Sequence, residues 1–110
     1  MNWTITKTVT VGNIDHFDIK IGDDVVHGIE ALLPVHGKKM LVVFAKNGYL
    51  MCRLLYPDLS NIIGDVSAIF SAADLEALLG TPCAWVSDKA QALGAKEGMT
   101  GAEIACLFNK

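Results

Sequence analysis

The dipeptide Asn47-Gly48, placed between two apolar runs, is the feature of this sequence that most restricts its fold. Both residues tolerate positive φ, which a type I′ turn requires at its two central positions. The dipeptide therefore predicts a two-residue loop that joins a strand at residues 40–46 to a strand at residues 49–56.

The predicted hairpin is apolar on both of its faces. Cys52 would lie opposite Val43 on one face, and Arg53 would lie opposite Val42 on the other. Strands that are apolar on both faces are typical of sheets that are covered on both sides. Hydrophobic residues make up 52% of the 110 residues and charged residues only 19%. A chain of this length has few helices, too few to cover both faces of such a sheet. The sequence therefore predicts a homo-oligomer, in which a second copy covers one face.

Two alternating stretches precede this hairpin and predict an antiparallel pair of strands around Gly12-Asn13. A loop of only two residues would mix apolar and polar side chains on each face. A loop of three or five residues instead sets Val9 opposite Phe17, and we favour it because a one-residue slip exchanges the faces of a strand. His16 would then lie on the polar face beside Thr10.

Residues 25–33 fit either a helix or a strand. The spacing of the apolar residues suits a helix that Asp23 or Asp24 could cap. Gly28 and Pro34 disfavour a helix, and we favour a strand. A polar loop, residues 36–39, follows and begins at His36.

The second half of the sequence alternates short helices and strands. Thr100 and Glu103 form a capping box at the start of a C-terminal helix.

The patterns of the two halves together predict that residues 1–110 form one α+β domain. In this domain, antiparallel N-terminal strands and a hairpin join a mixed sheet with helices mainly on one face. The other predicted elements are a helix from Pro57 to Gly64, a strand at 66–70, a helix at 75–79 after Ser71 and Asp74, a strand at 83–86 and a helix after Ser87.

Three segments of the sequence carry a resemblance to a known family. They are Gly48-Tyr49-Leu50-Met51-Cys52, Gly64-Asp65-Val66-Ser67-Ala68-Ile69 and the stretch from Leu93 to Gly101. Because these segments occur in the same order there, the sequence resembles the YunC-like family, a small bacterial and archaeal domain of unknown function. The resemblance implies an α+β fold and supplies no established activity.

Cys52 is the candidate catalytic residue, and Arg53 is the first candidate binding residue. A cysteine among apolar neighbours is either a packed structural residue or, if a strand end exposes it, a nucleophile. Arg53 either extends to solvent or binds a carboxylate, for which Asp58 and Asp65 are possible partners, or an anionic ligand.

Asp65, Tyr49 and Lys96 complete the set of candidate binding residues. Asp65 follows Gly64 at a strand entrance, where a turn role is the alternative. Lys96 lies in a glycine-containing loop before a helix N-terminus, which either binds an anion or only caps the helix.

The spacing of His16, His27 and His36 is not typical of metal ligands. A site with two histidines and Asp15 or Glu30 could be built, but surface or turn histidines are favoured, and we predict no metal and no cofactor.

The net charge of −3 and the absence of a basic run disfavour a nucleic-acid partner. No apolar window is long enough to span a membrane, and three widely spaced cysteines indicate reduced thiols in a cytoplasm. The sequence predicts a non-enzymatic, homo-oligomeric binding or scaffold module for a small anionic ligand. The alternative is a thiol-dependent enzyme that uses Cys52, with Arg53 of a neighbouring subunit holding an anionic substrate.

Overall fold

The computed structural model describes residues 1–34 and 37–110, and in this part of the chain it contains seven strands and four helices. His36, where the predicted polar loop begins, lies outside the described residues. The strands are β1 (Trp3–Val11), β2 (Ile14–Ile21), β3 (Asp24–Leu32), β4 (Lys39–Phe44), β5 (Tyr49–Met51), β6 (Ser67–Ile69) and β7 (Trp85–Val86). The helices are α1 (Pro57–Ile63), α2 (Leu75–Gly80), α3 (Asp88–Ala92) and α4 (Gly101–Phe108).

The strands form one mixed sheet, in which they lie side by side in chain order. Neighbouring strands pair antiparallel, except that β5 and β6 are parallel and α1 crosses between them. The predicted α+β fold with a mixed sheet is therefore confirmed.

The predicted three- or five-residue loop between β1 and β2 is wrong, although the apolar pairing that led to this prediction is present. Val11 pairs with Ile14, so Gly12-Asn13 is a two-residue loop after all. The register then shifts between Lys7 and Val9, where Thr8 is the extra residue of a β-bulge. The bulge places Ile5 opposite Ile19 and thereby restores apolar pairing. His16 lies opposite Val9, whereas the predicted position was beside Thr10.

Of the ambiguous residues 25–33, all but Leu33 belong to strand β3, as favoured. Gly28, which disfavoured a helix, has a packing role in the sheet. A Cβ atom at Gly28 would lie 2.7 Å from Leu75 Cδ1 and 2.9 Å from Ile19 Cδ1. The missing side chain therefore provides the space in which Leu75 of α2 packs on the sheet.

The predicted type I′ turn is wrong. Phe44 pairs with Tyr49, which leaves a four-residue loop, and Gly48 does not have a positive φ. The loop is held by the end of α4, because Asn47 N donates to Phe108 O at 2.9 Å. Gly48 is needed for close approach, since a Cβ atom there would lie 2.6 Å from the carbonyl oxygen of Val66.

The inner face of the sheet carries the main core, on which α2 and α4 pack. Leu41, Val43 and Leu50 face these helices and are fully buried. The outer face is covered less completely, since Val42 is 7% exposed but Phe44 is 46% exposed. The central strands are therefore apolar on both faces, as predicted.

Four predicted helix caps are confirmed, but α2 extends one residue beyond its predicted end at Leu79. Gly64 ends α1 with φ 77°, and Asp74 and Ser87 cap α2 and α3 with their side chains. Thr100 and Glu103 form the predicted capping box of α4.

Candidate functional site

The candidate site lies where the two parallel strands end. Tyr49 pairs with Ser67 and Met51 with Ile69, so the carboxyl ends of β5 and β6 point in the same direction. In open sheets with parallel strands, ligands bind in the crevice at the carboxyl ends of the strands. The structure has a pocket of about 730 Å³ at this position.

The pocket is lined by both apolar and cationic residues. Phe70, which follows β6, is fully buried and is one of the apolar lining residues. Three cationic side chains, those of Lys38, Lys39 and Arg53, belong to the wall, and no acidic residue does so in the described part of the chain. The other lining residues are Leu33, Gly37, Cys52, Leu54, Ser71, Ala72 and Ala73.

Cys52 lies directly after the last residue of β5 and is buried, with 8% of its surface exposed. Its Sγ accepts the backbone N–H of Leu41 at 3.5 Å, and its own N–H donates to Leu41 O at 3.2 Å. These contacts hold the cysteine at the edge of the core, where it also lines the pocket.

Arg53 lines the same pocket as Cys52. The strand register predicts opposite faces for the two residues, but β5 ends at Met51, so the alternation of a strand no longer applies. Arg53 is exposed, and its Nε donates to Ser71 Oγ. Among the described residues it forms no ion pair with Asp58 or Asp65, the two predicted partners.

Lys39 is neutralised by a buried carboxylate. Its Nζ lies 3.2 Å from Glu30 Oε1, and Glu30 is 8% exposed. Glu30 Oε2 also accepts the backbone N–H of Leu75, the first residue of α2, at 2.9 Å. Burial of a carboxylate is tolerated when it is paired and hydrogen-bonded, as here.

Tyr49 and Asp65 lie together, outside the pocket. The Tyr49 hydroxyl donates to Asp65 Oδ2 at 2.5 Å. Burial raises the pKa of Tyr49, and the hydrogen bond and negative charge of Asp65 raise it further. The backbone oxygen of Asp65 accepts the Ser87 hydroxyl at 2.7 Å, so Asp65 connects β5, the end of α1 and the cap of α3.

Lys96 lies in the loop between α3 and α4, away from the pocket. The backbone oxygen of this exposed residue accepts the Cys83 thiol at 3.1 Å. The N-terminus of α4 is occupied by its own cap, since Glu103 Oε1 accepts Thr100 N at 2.9 Å. This hydrogen bond lowers the pKa of Glu103. The geometry agrees with the helix-capping alternative for this loop.

The structure brings two histidines together that the sequence spacing does not connect. His16 Nδ1 and His27 Nε2 lie 3.3 Å apart on neighbouring strands, and His27 Nδ1 lies 3.6 Å from Asp18 Oδ1. The predicted carboxylate partners are elsewhere, because Asp15 contacts Thr10 and Lys7 while Glu30 binds Leu75 N. Within residues 1–34 and 37–110, no group of three or more His, Cys, Asp or Glu side chains could hold a metal ion.

Sequence reasoning missed Ser71 and the two lysines as site residues, and it considered Glu30 only for a metal site and not as the partner of Lys39. Glu30 could have been found, because it interrupts the apolar side chains on the inner face of a predicted strand. Ser71 and Lys38 carry no local signal, since only the folded sheet brings them to the same pocket as Arg53.

The described helices include none that is both long and apolar enough to cross a bilayer.

The comparisons with known proteins give a fold and no activity. No protein-family model and no curated protein matches the chain. The chain is similar to a crystal structure of a protein of unknown function from Thermoplasma acidophilum, with a TM-score of 0.76 and 20% sequence identity. The match covers 98% of this chain and 96% of the other. At this identity the similarity shows a shared fold alone.

Proposed function

We propose that this chain is a non-enzymatic binding module that holds a small anionic ligand in the pocket at the ends of β5 and β6. Its main support is that Lys38, Lys39 and Arg53 line one pocket, without a carboxylate in the described wall. Arginine suits this role because its planar guanidinium forms paired hydrogen bonds with carboxylate and phosphate groups.

We also propose that the module is a cytoplasmic homo-oligomer of the YunC-like family. Support for the family comes from the positions of two of the three resembling segments, which form the neighbouring strands β5 and β6 that lead to the pocket. Support for an oligomer comes from α1, where Leu59, Ile62 and Ile63 are 50%, 80% and 60% exposed. Three free cysteines agree with a reducing compartment.

The anion site can be tested through Arg53, which is the single arginine in the sequence. Phenylglyoxal should therefore modify only one side chain, and inorganic phosphate at constant ionic strength should slow that modification. In calorimetric titrations with phosphate, Arg53→Ala should lose most of the heat of binding. Lys96→Ala removes the same charge from the other candidate loop and should bind phosphate like the wild type. Loss of binding in Lys96→Ala alone would move the site to the α3–α4 loop and overturn the proposal.

A thiol-dependent enzyme is the second candidate function, because Cys52 and Arg53 line the same pocket. In this arrangement, one chain supplies both the thiol and the cation, and the neighbouring subunit is not needed for Arg53. Iodoacetamide distinguishes the two functions. An enzyme nucleophile should be alkylated at Cys52 faster in the folded protein than in the denatured protein, whereas a packed cysteine should react more slowly when folded.

A further inference from the structure

The charges in the pocket wall indicate how many negative charges the ligand carries. Lys39 is paired with Glu30, so its charge is already balanced. Lys38 and Arg53 have no ion-pair partner among the described residues. Two positive charges in the wall are therefore unbalanced, and a ligand group with two negative charges would balance both.

Arg53 has hydrogen-bond donors that no described residue accepts. Arginine has five N–H donors, and Nε is used by Ser71, which leaves the four donors on the two Nη atoms. Because Ser71 Oγ accepts that bond, its own proton can be donated to a ligand oxygen. Several acceptor oxygens on one small group would satisfy these donors, as in a phosphate, which carries about −1.5 to −2 charges at pH 7.

The pocket is larger and more apolar than a bare phosphate requires. Its volume of about 730 Å³ falls in the range of sites for organic ligands. Leu33 and Leu54 supply apolar wall that solvent reaches, and Leu54 is 56% exposed. Covering Leu54 with an apolar group would remove this exposed surface from water.

We infer that the ligand is an organic phosphate monoester, whose phosphate binds Arg53, Lys38 and Ser71 and whose apolar body packs on Leu33 and Leu54. This inference rests on the proposed function, since it requires that the pocket binds an anion. Beyond the proposed function, it specifies that the ligand has a doubly charged head group and an apolar body.

Four probes test the inference by calorimetric titration at pH 8 and constant ionic strength. They are butyl phosphate, butanesulfonate, inorganic phosphate and n-butanol. Butyl phosphate should bind about tenfold or more tightly than butanesulfonate, which has one charge, and than inorganic phosphate, which has no apolar body. n-Butanol should show no saturable binding.

Two variants at exposed positions test the head group and the apolar body of the ligand separately, and each has a matched control. Lys38→Ala should remove most of the preference for butyl phosphate over butanesulfonate, while Lys46→Ala should keep it. Leu54→Asn should remove most of the preference for butyl phosphate over inorganic phosphate, while Leu93→Asn, which lies outside the pocket, should keep it. All four positions are exposed, so the fold should tolerate these changes.

The outcomes distinguish this inference from the proposed function. Equal affinity for butyl phosphate and butanesulfonate would overturn the doubly charged head group while the anion site remains. Equal affinity for butyl phosphate and inorganic phosphate would overturn the apolar body. If the wild-type protein binds none of the three anions, the proposed function itself is wrong.

Discussion

The carboxylate of Glu30 accepts the backbone N–H of Leu75 at 2.9 Å, and this contact joins the middle of β3 to the first residue of α2. The two residues are 45 positions apart in the sequence. Asp74 satisfies a second N–H group of the same helix, that of Ala77 at 2.8 Å. The start of α2 is thus bound on two sides, and the segment from Ser71 to Ala73 that precedes it lines the pocket.

Replacement of Glu30 should reveal how much this contact stabilises the fold. Glu30→Ala leaves the Leu75 N–H group buried without an acceptor, and we expect a loss of about 2–3 kcal/mol in the free energy of unfolding. Glu30→Gln keeps an acceptor oxygen and should lose only about 1 kcal/mol. Urea unfolding measures both values, and the exposed Glu97→Ala should change stability by less than about 0.5 kcal/mol. Equal losses in the Ala and Gln variants would show that the ion pair with Lys39 is the more important contact.

Gly48→Ala should destabilise the protein, because the new Cβ atom would lie 2.6 Å from Val66 O and 2.9 Å from Phe108 Cδ2. We expect a loss of about 2 kcal/mol or more in urea unfolding, since β6 and α4 would have to move. Gly80→Ala is the control, because its nearest contact would be Trp3 at 3.6 Å. Alanine is favoured in a helix by up to about 1 kcal/mol, so Gly80→Ala should be neutral or stabilising. Similar stability of the two variants would contradict the close approach at Gly48.

The sequence was informative where local patterns decide the structure and failed where distant residues decide it. The alternation in β2 and the capping box at Thr100 depend on neighbouring residues, and both were predictable. The loop at Asn47-Gly48 is different, because its amides bind acceptors that lie more than 60 positions later in the chain, such as Asn109 Oδ1 at 3.1 Å from Lys46 N. No local turn preference contains that information.

The candidate site shows the same limit. The sequence identifies Cys52 and Arg53 as candidate residues, but it does not predict their surroundings. The pocket exists because β6 pairs parallel to β5, which places Ser71 beside Arg53, 18 residues away. Local spacing does not reveal such a pairing, so the lysines and Ser71 were assigned only to loops and caps.

The phenol of Tyr49 should titrate above its ordinary pKa of 10.0, because burial and the bond to Asp65 favour the protonated form. Tyr56→Phe leaves Tyr49 as the only tyrosine, so its ionisation can be followed by ultraviolet absorbance. A raised pKa in the folded state stabilises the protein below pH 10, and this stabilisation is lost as pH rises through the folded-state pKa. Adding Asp65→Asn should lower the absorbance midpoint, and no change would contradict the role of Asp65.

The thiol of Cys106 should react slowly with iodoacetamide. Burial and the neighbouring Asp24 raise its pKa to about 11. About one thiol in a thousand would then be ionised at pH 8, and only the thiolate reacts. Asp24→Asn removes the charge and should speed alkylation several-fold, as measured by mass spectrometry of the Cys106 peptide. Asp23→Asn removes a charge from the exposed neighbour and should leave the rate unchanged, so equal acceleration in both variants would indicate a general charge effect.

The apolar surface of α1 provides the test of self-association. Ile62 is 80% exposed, more than any other large hydrophobic side chain that the structure describes. If a second copy covers this helix, Ile62→Lys introduces an unpaired charge into the contact and should shift the protein towards the 11.8 kDa monomer. Light scattering over a range of concentrations measures this shift. Val11→Lys changes an apolar residue that is 62% exposed at the β1–β2 turn and should leave the mass unchanged. A wild-type protein that remains monomeric at high concentration would overturn the proposed homo-oligomer and show that α1 tolerates its apolar surface in water.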